Sequence, residues 1–408
     1  MIPEVRAKIE HIQLRSISEG YKKSKVGVIP DAWCCYQIHE CLSICNYERK
    51  PISEDVRKTI PGPYPYYGPT QAQGYIATYE SEGPAVLIGE DGDHFLKYKN
   101  QEMTMYVDGK YTVNNHAHVL RGTELCETKW FYYAYQHKSL FDAITRQGAG
   151  RYKLTKEALI KLSLQCPPIE EQKKIISILN TQDKVIKLKE KRLAEKQRQK
   201  KYLMQQLLTG KKRLPGFNGA WKTDCLGKLF FERKETNCEN IEMLAITGTQ
   251  GIIPRKELDL KDNSSEDKSK YLRVCVGDIG YNTMRMWQGV SAYSNYEGIV
   301  SPAYTILKPS SSINAKYFAY LFKMSEIVFL FYRFSQGLVD DTRNLKYENF
   351  KKIKVCYPPD MKEQTAIAEV LSAADREIDL LRQDIEQEKQ KKKALMQLLL
   401  TGIVRVKT

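Results

Sequence analysis

The chain has 408 residues, of which 42% are hydrophobic and 28% charged, and its formal net charge is +15. This length allows two to three domains with cores of their own, the apolar content excludes wholesale disorder, and no apolar run approaches the roughly 20 residues that span a bilayer. The positive charge favours a polyanionic partner such as nucleic acid.

Residues 1–20 form a charged, amphipathic N-terminal segment. The segment has no apolar stretch followed by a small-residue cleavage site, so we do not expect a signal peptide. The ten cysteines are scattered along the chain without a Cys-x-x-Cys pair. Reduced thiols in a cytoplasmic protein account for this pattern most simply.

The densest group of cysteines is Cys34, Cys35, Cys41 and Cys45. Adjacent residues of a strand point to opposite sides, so Cys34 and Cys35 are poorly placed to bind one tetrahedral zinc ion. We therefore interpret these residues as core thiols and predict no metal site.

Residues 21–153 are the first of two blocks that we call variable because their sequences differ from one another. The pattern of this block predicts mixed α and β structure. Residues 85–88 and 104–107 are predicted strands, and 90–93 and 108–109 are predicted turns between them. The acidic cluster in this region, followed by two lysines, faintly resembles that of a metal-dependent nuclease. Glycines in a predicted hairpin favour a structural role for these residues, which are Glu90, Asp91, Asp93, Lys97 and Lys99.

A helical region follows at residues 154–213, and a second variable block lies at 214–344. In that block residues 299–300 and 304–307 are predicted strands, and 317–322 an amphipathic helix. A second helical region covers residues 345–408. The predicted long helices at 171–208 and 363–400 end before Gly210 and Gly402.

The two helical regions are copies of one another. Residues 171–210 and 363–402 lie 192 positions apart and align without a gap, with 16 of 40 positions identical. The repeat extends to the openings of the blocks (GVIPDAW at 27–33 and LPGFNGAW at 214–221) and to their ends (from Gln147-Gly148 and Gln336-Gly337). About 120 residues between these phrases differ. The chain is therefore a tandem duplication in which the helices and the ends of the blocks are repeated and the middles of the blocks differ. Such a pseudo-symmetric chain is suited to a pseudo-symmetric ligand such as duplex DNA.

A seven-residue apolar stripe runs along each long helix and predicts an antiparallel coiled coil between them. Two lysines interrupt the stripes at equivalent places, as register-setting polar residues do. Residues 171–213 carry 14 Lys/Arg and 4 Asp/Glu, whereas residues 363–408 carry 8 of each, so the helices can pair without repulsion. The alternatives are that the lysines form a solvated face and that each helix packs on its own domain. The predicted seam consists of Leu179, Ile186, Leu193, Lys200, Leu207, Leu371, Ile378, Ile385, Lys392 and Leu399.

The predicted fold class is accordingly α+β, with two globular α/β blocks separated by two long antiparallel coiled-coil helices in a pseudo-two-fold repeat. No sequence signature of catalysis is present. The chain has no Gly-x-Gly-x-x-Gly, no P-loop and no Asn/Asp-Pro-Pro-aromatic motif, and its six histidines lack metal-ligand spacing. We predict no catalytic residues.

The order block, helix, block, helix, together with LMQQLLTG at 203–210, LMQLLLTG at 395–402 and KKRLPGF at 211–217, resembles the specificity subunits of type I restriction–modification systems. Phrases within the blocks are similar to those of target-recognition domains in that family: PYYGP (65–69), GPAVLIG (83–89), VNNHAH (113–118), GDIGYN (277–282), RMWQG (285–289) and GIVSPAY (298–304).

The resemblance implies a non-catalytic, sequence-specific DNA-binding subunit. Each target-recognition domain would read one half of a bipartite asymmetric DNA target, and the paired helices would set the gap and bind two modification (methyltransferase) subunits. It implies no cofactor in this chain: S-adenosylmethionine would be bound by partners that methylate adenine, and ATP and Mg by added restriction (translocase and nuclease) subunits.

Base reading requires forked donors and amides, Arg for guanine and Asn or Gln for adenine. Gly68 and Gly289 are places where backbone could approach the duplex, and Trp287 either stacks on sugar or packs in the core. A coiled-coil adaptor with two protein-binding heads and a fused restriction–methylation enzyme are the alternative functions. The candidate DNA-binding residues are Tyr66, Tyr67, Gln71, Asn114, Asn115, His116, Arg146, Asn282, Arg285, Gln288, Tyr304, Arg333 and Gln336.

Overall fold

A computed structural model describes residues 19–148, 151–238, 241–248, 251–258, 267–339 and 342–407. The chain forms two compact units: unit 1 comprises Met1–Leu188 and Ile385–Thr408, and unit 2 comprises Lys189–Asp384. All but the last two residues of the predicted N-terminal segment lie outside the described residues. The predicted boundaries at 20, 153, 213 and 344 separate blocks from helices rather than one unit from the other, and they stay predictions.

Two of the helices are far longer than the others, with 39 and 40 residues. None of the described helices is both long and apolar enough to cross a membrane. In chain order the helices are α1 Ile38–Cys41, α2 Glu54–Thr59, α3 Thr128–Tyr135, α4 Lys156–Lys161, α5 Ile169–Leu207, α6 Leu226–Leu229, α7 Ala315–Leu321, α8 Ser325–Phe334, α9 Tyr347–Phe350 and α10 Met361–Leu400.

The strands of unit 1 form two four-stranded sheets and three smaller ones, with the orders β10-β8-β12-β4, β6-β5-β11-β7, β13-β14-β9, β15-β3 and β1-β2. They are β1 Tyr21–Ser24, β2 Gly27–Pro30, β3 Cys34–Gln37, β4 Leu42–Ile44, β5 Pro61–Tyr67, β6 Ala72–Ile76, β7 Ser81–Glu82, β8 Ala85–Gly89, β9 Asp91–Gly92, β10 Thr104–Val107, β11 Lys110–Val113, β12 Ala117–Gly122, β13 Thr145–Arg146, β14 Tyr152–Lys153 and β15 Ser163–Cys166.

The predicted strands of the first block are confirmed. Strand β8 is buried along its whole length, as expected for a continuous apolar run covered on both faces, and it pairs antiparallel with β10 and β12. The predicted turn at 108–109 joins β10 to β11, and Gly109 has a φ of +80°. The core beside these strands contains Trp33 and Trp130, whose rings meet edge to face at 5.8 Å.

Unit 2 contains one four-stranded sheet, β17-β24-β21-β22, and the pairs β18-β19, β20-β23 and β16-β25. The predicted strands at 299–300 and 304–307 are confirmed as β23 and β24, and the predicted helix at 317–322 as α7. The strands are β16 Lys222–Cys225, β17 Phe230–Glu232, β18 Leu244–Thr247, β19 Gly251–Pro254, β20 Leu272–Val274, β21 Ile279–Asn282, β22 Ser291–Tyr293, β23 Gly298–Val300, β24 Tyr304–Pro309 and β25 Lys354–Tyr357.

The same hydrogen bonds occur at equivalent positions of the two units. In unit 1 the buried Gln172 side chain accepts from the backbone N–H of Glu127, which precedes α3, at 2.9 Å. In unit 2 the buried Gln364 accepts from the N–H of Asn314, which precedes α7, at 2.8 Å. Each amide also donates to the carbonyl of the first proline of a Pro-Pro pair, at 2.9 Å. These bonds attach each variable block to the first turn of a long helix.

A buried carboxylate next to each glutamine binds an arginine that follows the other long helix. Glu171 is 1% exposed and accepts two hydrogen bonds of 2.7 Å from Arg405. Glu363 is 2% exposed and accepts from Arg213 at 2.5 and 2.7 Å. Because the arginines lie three residues after Gly402 and Gly210, each unit contains the start of one long helix and the segment that follows the other.

The glycines that follow the helices are required by their surroundings. Gly402 and Gly210 have φ of +74° and +71°, a left-handed conformation that ends a helix. A Cβ on Gly402 would lie 3.2 Å from the ring of Trp33, and one on Gly210 would lie 3.3 Å from the ring of Trp221. The helix ends predicted at these glycines are confirmed, since α5 ends at Leu207 and α10 at Leu400.

The long helices run antiparallel within each unit. In unit 1, Lys174 of α5 donates to the carbonyl of Lys407, which follows α10, at 2.7 Å, and further along α5 Gln182 donates to Glu388 of α10 at 2.6 Å. The ion pairs of unit 2 follow the same direction, with Lys189 bound to Asp384 and, further along α5, Lys196 bound to Glu377, both at 2.8 Å. The basic helix therefore pairs with acidic groups of the balanced one. This confirms the predicted antiparallel pairing and shows that these two lysines are not merely a solvated face.

The ten residues of the predicted seam differ in burial, and Leu179 and Leu399 pack in the core of unit 1 as Leu207 and Leu371 do in that of unit 2. Leu193, Lys200 and Lys392 are half-buried, and the other seven residues of the seam are buried. Leu188 and Leu380, which recur at equivalent places in the repeat, are 67% and 65% exposed and point away from the seam.

The two seam lysines belong to a repeated Tyr–Asp–Lys triad. In unit 1, Asp183 of α5 is bound by Lys392 at 2.7 Å and accepts from the hydroxyl of Tyr133 in α3 at 2.7 Å. In unit 2, Lys200 binds Asp375, and Asp375 accepts from the hydroxyl of Tyr320 in α7 at 2.7 Å. Burial and the neighbouring carboxylate raise the pKa of both tyrosines. The triads tie each block to the helix pair and set the register of that pair.

The buried carboxylate of Glu171 makes a testable contribution to stability. Replacing its partner, Arg405→Met, should lower the free energy of unfolding by about 2 kcal/mol or more, because a carboxylate removed from water is left without its cation. Denaturant unfolding of the full chain measures this change.

The matched control is Arg382→Met, which removes an exposed arginine whose ion pair is with Asp379 on the same helix. Its cost should be about 0.5 kcal/mol or less. Equal losses in the two variants would show that the Glu171–Arg405 pair does not hold unit 1 together.

Candidate nucleic-acid interface

The first candidate segment of unit 1 contains the β5–β6 hairpin. Tyr66 is buried, and its hydroxyl accepts from the N–H of Ile52 at 2.9 Å and donates to the carbonyl of Lys50 at 3.2 Å. Tyr67 is half-buried, and Gln71 at the hairpin tip is exposed. Gly68 is buried, and a Cβ there would lie 2.5 Å from the side chain of Gln73. Tyr66 therefore supports the hairpin, whereas Gln71 is available to a ligand.

The second candidate segment is the loop 114–116, which the fold brings beside this hairpin. Asn114 is buried, and its backbone N–H donates to the carbonyl of Tyr67 at 3.0 Å. Its side chain donates to Gln73 at 3.3 Å and accepts from the N–H of His116 at 2.9 Å. Asn114 thus shapes the loop from within, and leaves the side chains of Asn115 and His116 exposed.

The acidic cluster at 90–93 holds the same loop in place. Glu90 binds Arg49 at 2.7 Å and Lys153 at 3.4 Å, and Asp91 contacts Nδ1 of His116 at 2.8 Å. Asp93 pairs with Lys97 at 2.7 Å. Each of the three carboxylates therefore has a basic or histidine partner in the protein, which supports the structural interpretation over a nuclease site.

Arg146 lies next to this group on an adjoining strand. Strand β13, which contains Arg146, pairs with β14, and β14 pairs with β9, which contains Asp91. The Arg146 side chain is exposed, and its Nε donates to the carbonyl of Gly148 at 3.3 Å. Unit 1 thus brings together four exposed candidates from distant parts of the sequence, namely Gln71, Asn115, His116 and Arg146.

In unit 2 the central candidate segment is the turn 282–289. The Asn282 side chain accepts from the N–H of Met284 at 3.0 Å and so shapes the turn, whereas Arg285 and Gln288 are exposed. Gly289 has a φ of +80°, and a Cβ there would lie 3.0 Å from Val328 of α8. Backbone conformation and space both explain this glycine.

Trp287 connects this turn to the next candidate segment. The indole is half-buried, donates to the carbonyl of Met284 at 2.9 Å, and meets the ring of Tyr332 in α8 at 6.2 Å. Arg333 follows on α8 and is exposed. The guanidinium groups of Arg285 and Arg333 make no hydrogen bond or ion pair with the residues that the structure describes. They are therefore available to phosphate or to base edges.

The remaining candidates flank these two arginines. Gln336 is exposed, and its backbone is held by a reciprocal pair of hydrogen bonds to Asn344, at 2.7 and 2.8 Å. Tyr304 is half-buried at the start of β24, opposite Asn282. Hydrogen-bonded turns thus present the two exposed amide candidates of unit 2, Gln288 and Gln336, beside the two exposed arginines.

Two positioning residues were not predicted from the sequence. Arg49 donates to the carbonyl of Asn115 at 3.1 Å as well as to Glu90, and so anchors the loop 114–116. Lys323 donates to the carbonyl of Gly289 at 2.7 Å, and burial lowers its pKa to about 8. Arg49 is 66 residues from Asn115 and Lys323 is 34 from Gly289, so no local pattern indicates either contact.

One family model matches most of the chain. A family model described as "Type I restriction modification DNA specificity domain" matches residues 30–198 and 227–390. A putative type I restriction enzyme specificity subunit from Haemophilus influenzae is 26% identical over 353 residues, which cover 82% of this chain and 85% of the relative. The putative type I restriction enzyme MjaX specificity subunit from Methanocaldococcus jannaschii is 24% identical over 441 residues, covering 96% of this chain and 98% of the relative.

Solved structures share the fold. The crystal structure of a type I restriction–modification system S subunit from M. genitalium superposes with a TM-score of 0.61 at 13% identity, covering 96% of this chain and all of the other. A chain from a structural study of complex assembly and conformational transition in the type I system has a TM-score of 0.51 at 13% identity, with 92% and 99% covered.

The buried and exposed candidates should respond differently to substitution. Tyr66→Phe should reduce the free energy of unfolding by about 1 kcal/mol, because two hydrogen bonds to the backbone are lost. It should leave DNA affinity at a fixed salt concentration unchanged. Gln71→Ala should leave stability within about 0.5 kcal/mol of the parent chain, because its side chain is exposed.

Denaturant unfolding and DNA-binding titration of both variants check this difference. A loss of DNA affinity in Tyr66→Phe without a loss of stability would place the tyrosine hydroxyl in the interface.

Proposed function

This chain belongs to the type I restriction modification DNA specificity family, and we propose that it reads a split, asymmetric sequence in double-stranded DNA. The proposal rests on one observation: the same supporting contacts occur in both units, whereas the exposed side chains of the two blocks differ. The same Gln, Glu–Arg and Tyr–Asp–Lys contacts recur in both units. The exposed candidate side chains differ, with Asn115, His116 and Arg146 in unit 1 against Arg285, Gln288 and Arg333 in unit 2.

Two different sets of polar side chains on one repeated support fit two different half-sites. Exposed arginines and amides are the groups that recognise guanine and adenine in a groove. The net charge of +15 supports the sequence-independent part of DNA binding through phosphate contacts. An adaptor with two protein-binding heads would have no need of this charge, so DNA is the proposed ligand.

We propose that two modification subunits bind the long helices. Leu188 and Leu380 are exposed apolar residues at equivalent positions of the repeat, and neither belongs to the seam. Exposed leucines on the outer face of a helix are suited to pack against a helix of another protein. Because the sequence repeats, it supplies this surface twice and fits two copies of one partner.

Catalysis would then reside in the partners. This sequence contains no nucleotide-binding or methyltransferase signature, so we propose that S-adenosylmethionine binds the modification subunits, which methylate adenine. Restriction subunits would add translocation and cleavage with ATP and Mg. The role of this chain would be to direct both kinds of partner to the target.

Mapping methylated adenines in a host that expresses this chain with its modification partner tests the proposal. We expect one motif made of two different half-sites with an unspecified gap. Arg285→Ala should relax one position of one half-site, with a discrimination loss of about 1–3 kcal/mol, if the guanidinium reads guanine.

Arg382→Ala, which changes an exposed arginine of α10 outside the blocks, should leave the motif unchanged and serves as the control. A contiguous motif, or methylation without sequence preference, would contradict the proposal. Weaker methylation at every position in Arg285→Ala would assign that residue to a phosphate instead.

The same assay tests whether the helices set the gap between the half-sites. Inserting four residues between Lys196 and Gln197 adds about 6 Å to α5. An equal insertion after Glu377, which faces Lys196, is needed to keep the antiparallel pairs in register. The doubly inserted chain should methylate the same half-sites with a gap one or two base pairs longer, at about 3.4 Å per base pair.

The single insertion is the matched control, and it should lower activity because it shifts Lys200 away from Asp375. An active double variant that keeps the original gap would show that the helix pair does not determine the spacing.

A further inference from the structure

Three thiols from distant parts of the sequence meet in the core of unit 1. Cys41 ends α1, Cys126 precedes α3 by two residues, and Cys166 ends β15. The side chains are 0%, 0% and 3% exposed, and their sulfur atoms all lie within 4.8 Å of one another. Of the cysteines that the sequence groups together, only Cys41 takes part.

In unit 2 the positions equivalent to the three cysteines are occupied by other residues. Leu229 ends α6 as Cys41 ends α1, and Tyr357 ends β25 as Cys166 ends β15. Ile313 precedes Asn314, whose backbone N–H donates to Gln364. In the same way Cys126 precedes Glu127, whose N–H donates to Gln172. All three residues of unit 2 are buried. Two aliphatic side chains and a tyrosine whose hydroxyl donates to Asp224 at 3.0 Å therefore suffice at these positions, and packing alone does not explain three thiols.

The separation of the sulfurs fits a common ligand. In a site with metal–sulfur bonds of about 2.3 Å, neighbouring sulfurs lie about 3.8–4.0 Å apart. Sulfurs already within 4.8 Å reach that spacing by shifts of less than about 1 Å, which small side-chain rotations supply. The described thiols are free, so none of the three is held in a disulfide.

We propose that Cys41, Cys126 and Cys166 bind one Zn²⁺ ion. Three thiolates and Zn²⁺ leave a net charge of −1, whereas Cu⁺ would leave −2, and the smaller charge is less costly in a core that excludes water. The three sulfurs would occupy three of the four positions around a tetrahedral ion.

The protons of the thiols must leave when the ion binds. Binding would take place as the core forms, because the three sulfurs come together only in the folded unit.

The ion would join the block of unit 1 to the start of α5. Cys166 directly precedes the Pro-Pro pair before that helix, and Cys126 precedes Glu127, whose N–H binds Gln172 of α5. The expected role is structural. None of the exposed candidate residues belongs to the cluster, so the DNA motif should not depend on the metal.

The experiment measures zinc in the full chain, purified with its modification partner from cells grown with added Zn²⁺. The partner purified alone gives its own zinc content for subtraction. We expect about one zinc ion per specificity chain, and at least tenfold less in Cys126→Ala. Cys45→Ala removes a buried thiol of the same unit outside the cluster, and should retain the ion.

A triple variant guards against loss of metal through misfolding. Cys41→Val, Cys126→Val and Cys166→Val together replace the thiols with apolar side chains of similar size, so the chain should fold without zinc and give the same methylation motif. Growth with Co²⁺ should produce thiolate-to-cobalt charge-transfer absorption in the parent chain and not in the triple variant.

The proposal is overturned if the parent chain contains no stoichiometric zinc, or if Cys126→Ala or the triple variant retains it. Stoichiometric copper in place of zinc overturns the assignment of the ion. A disulfide among the three cysteines in the protein as purified also overturns it.

Discussion

A carboxylate removed from water must have a cation beside it, and this requirement organises both units. Glu171 and Glu363 are almost fully buried at the first turns of α5 and α10. Each is compensated by an arginine that the chain reaches only after it has passed along the other long helix. The two helices must therefore be antiparallel and of similar length, because otherwise one buried charge would remain unpaired at a cost of about 3–5 kcal/mol.

The remaining contacts of the frame refine this arrangement. Gln172 and Gln364 attach the blocks to the helix starts, and the Tyr–Asp–Lys triads attach the blocks to the seam about three turns further along. All of these contacts involve residues outside the exposed candidate segments. The frame can consequently stay constant while the side chains offered to a ligand change from one block to the other.

The sequence predicted what is periodic or repeated. The heptad stripes, the terminal glycines and the 192-residue repeat predicted the long helices, their ends and their pairing. Strands such as β8 and β24 were predicted from short apolar runs. Leu188 and Leu380 are apolar in both copies, yet they face outward, because similarity between copies does not reveal which face of a helix is buried.

The candidate site was predictable only in part, for a physical reason. Residue type identified Arg285, Gln288 and Arg333, which are exposed, but also Tyr66 and Asn114, which are buried. A tyrosine hydroxyl or an asparagine amide satisfies a backbone as well as a base, and only the fold shows which partner is near. The meeting of Cys41 with Cys126 and Cys166 was not predictable either, since 85 and 40 residues separate successive members.

Unit 1 is completed late in the synthesis of the chain, because Glu171 in its core needs Arg405 as its partner. Unit 2 is a continuous stretch, Lys189–Asp384, so all of its residues except those still in the ribosome can fold together once they emerge. Unit 1 begins earlier but lacks the partner of Glu171 until residue 405 has been made, 234 positions later. Contacts between such distant residues form slowly, and they leave apolar surface exposed in the meantime. The block translated first is thus the last to complete its core, and it keeps apolar surface exposed to other proteins for most of the time that the chain is being made.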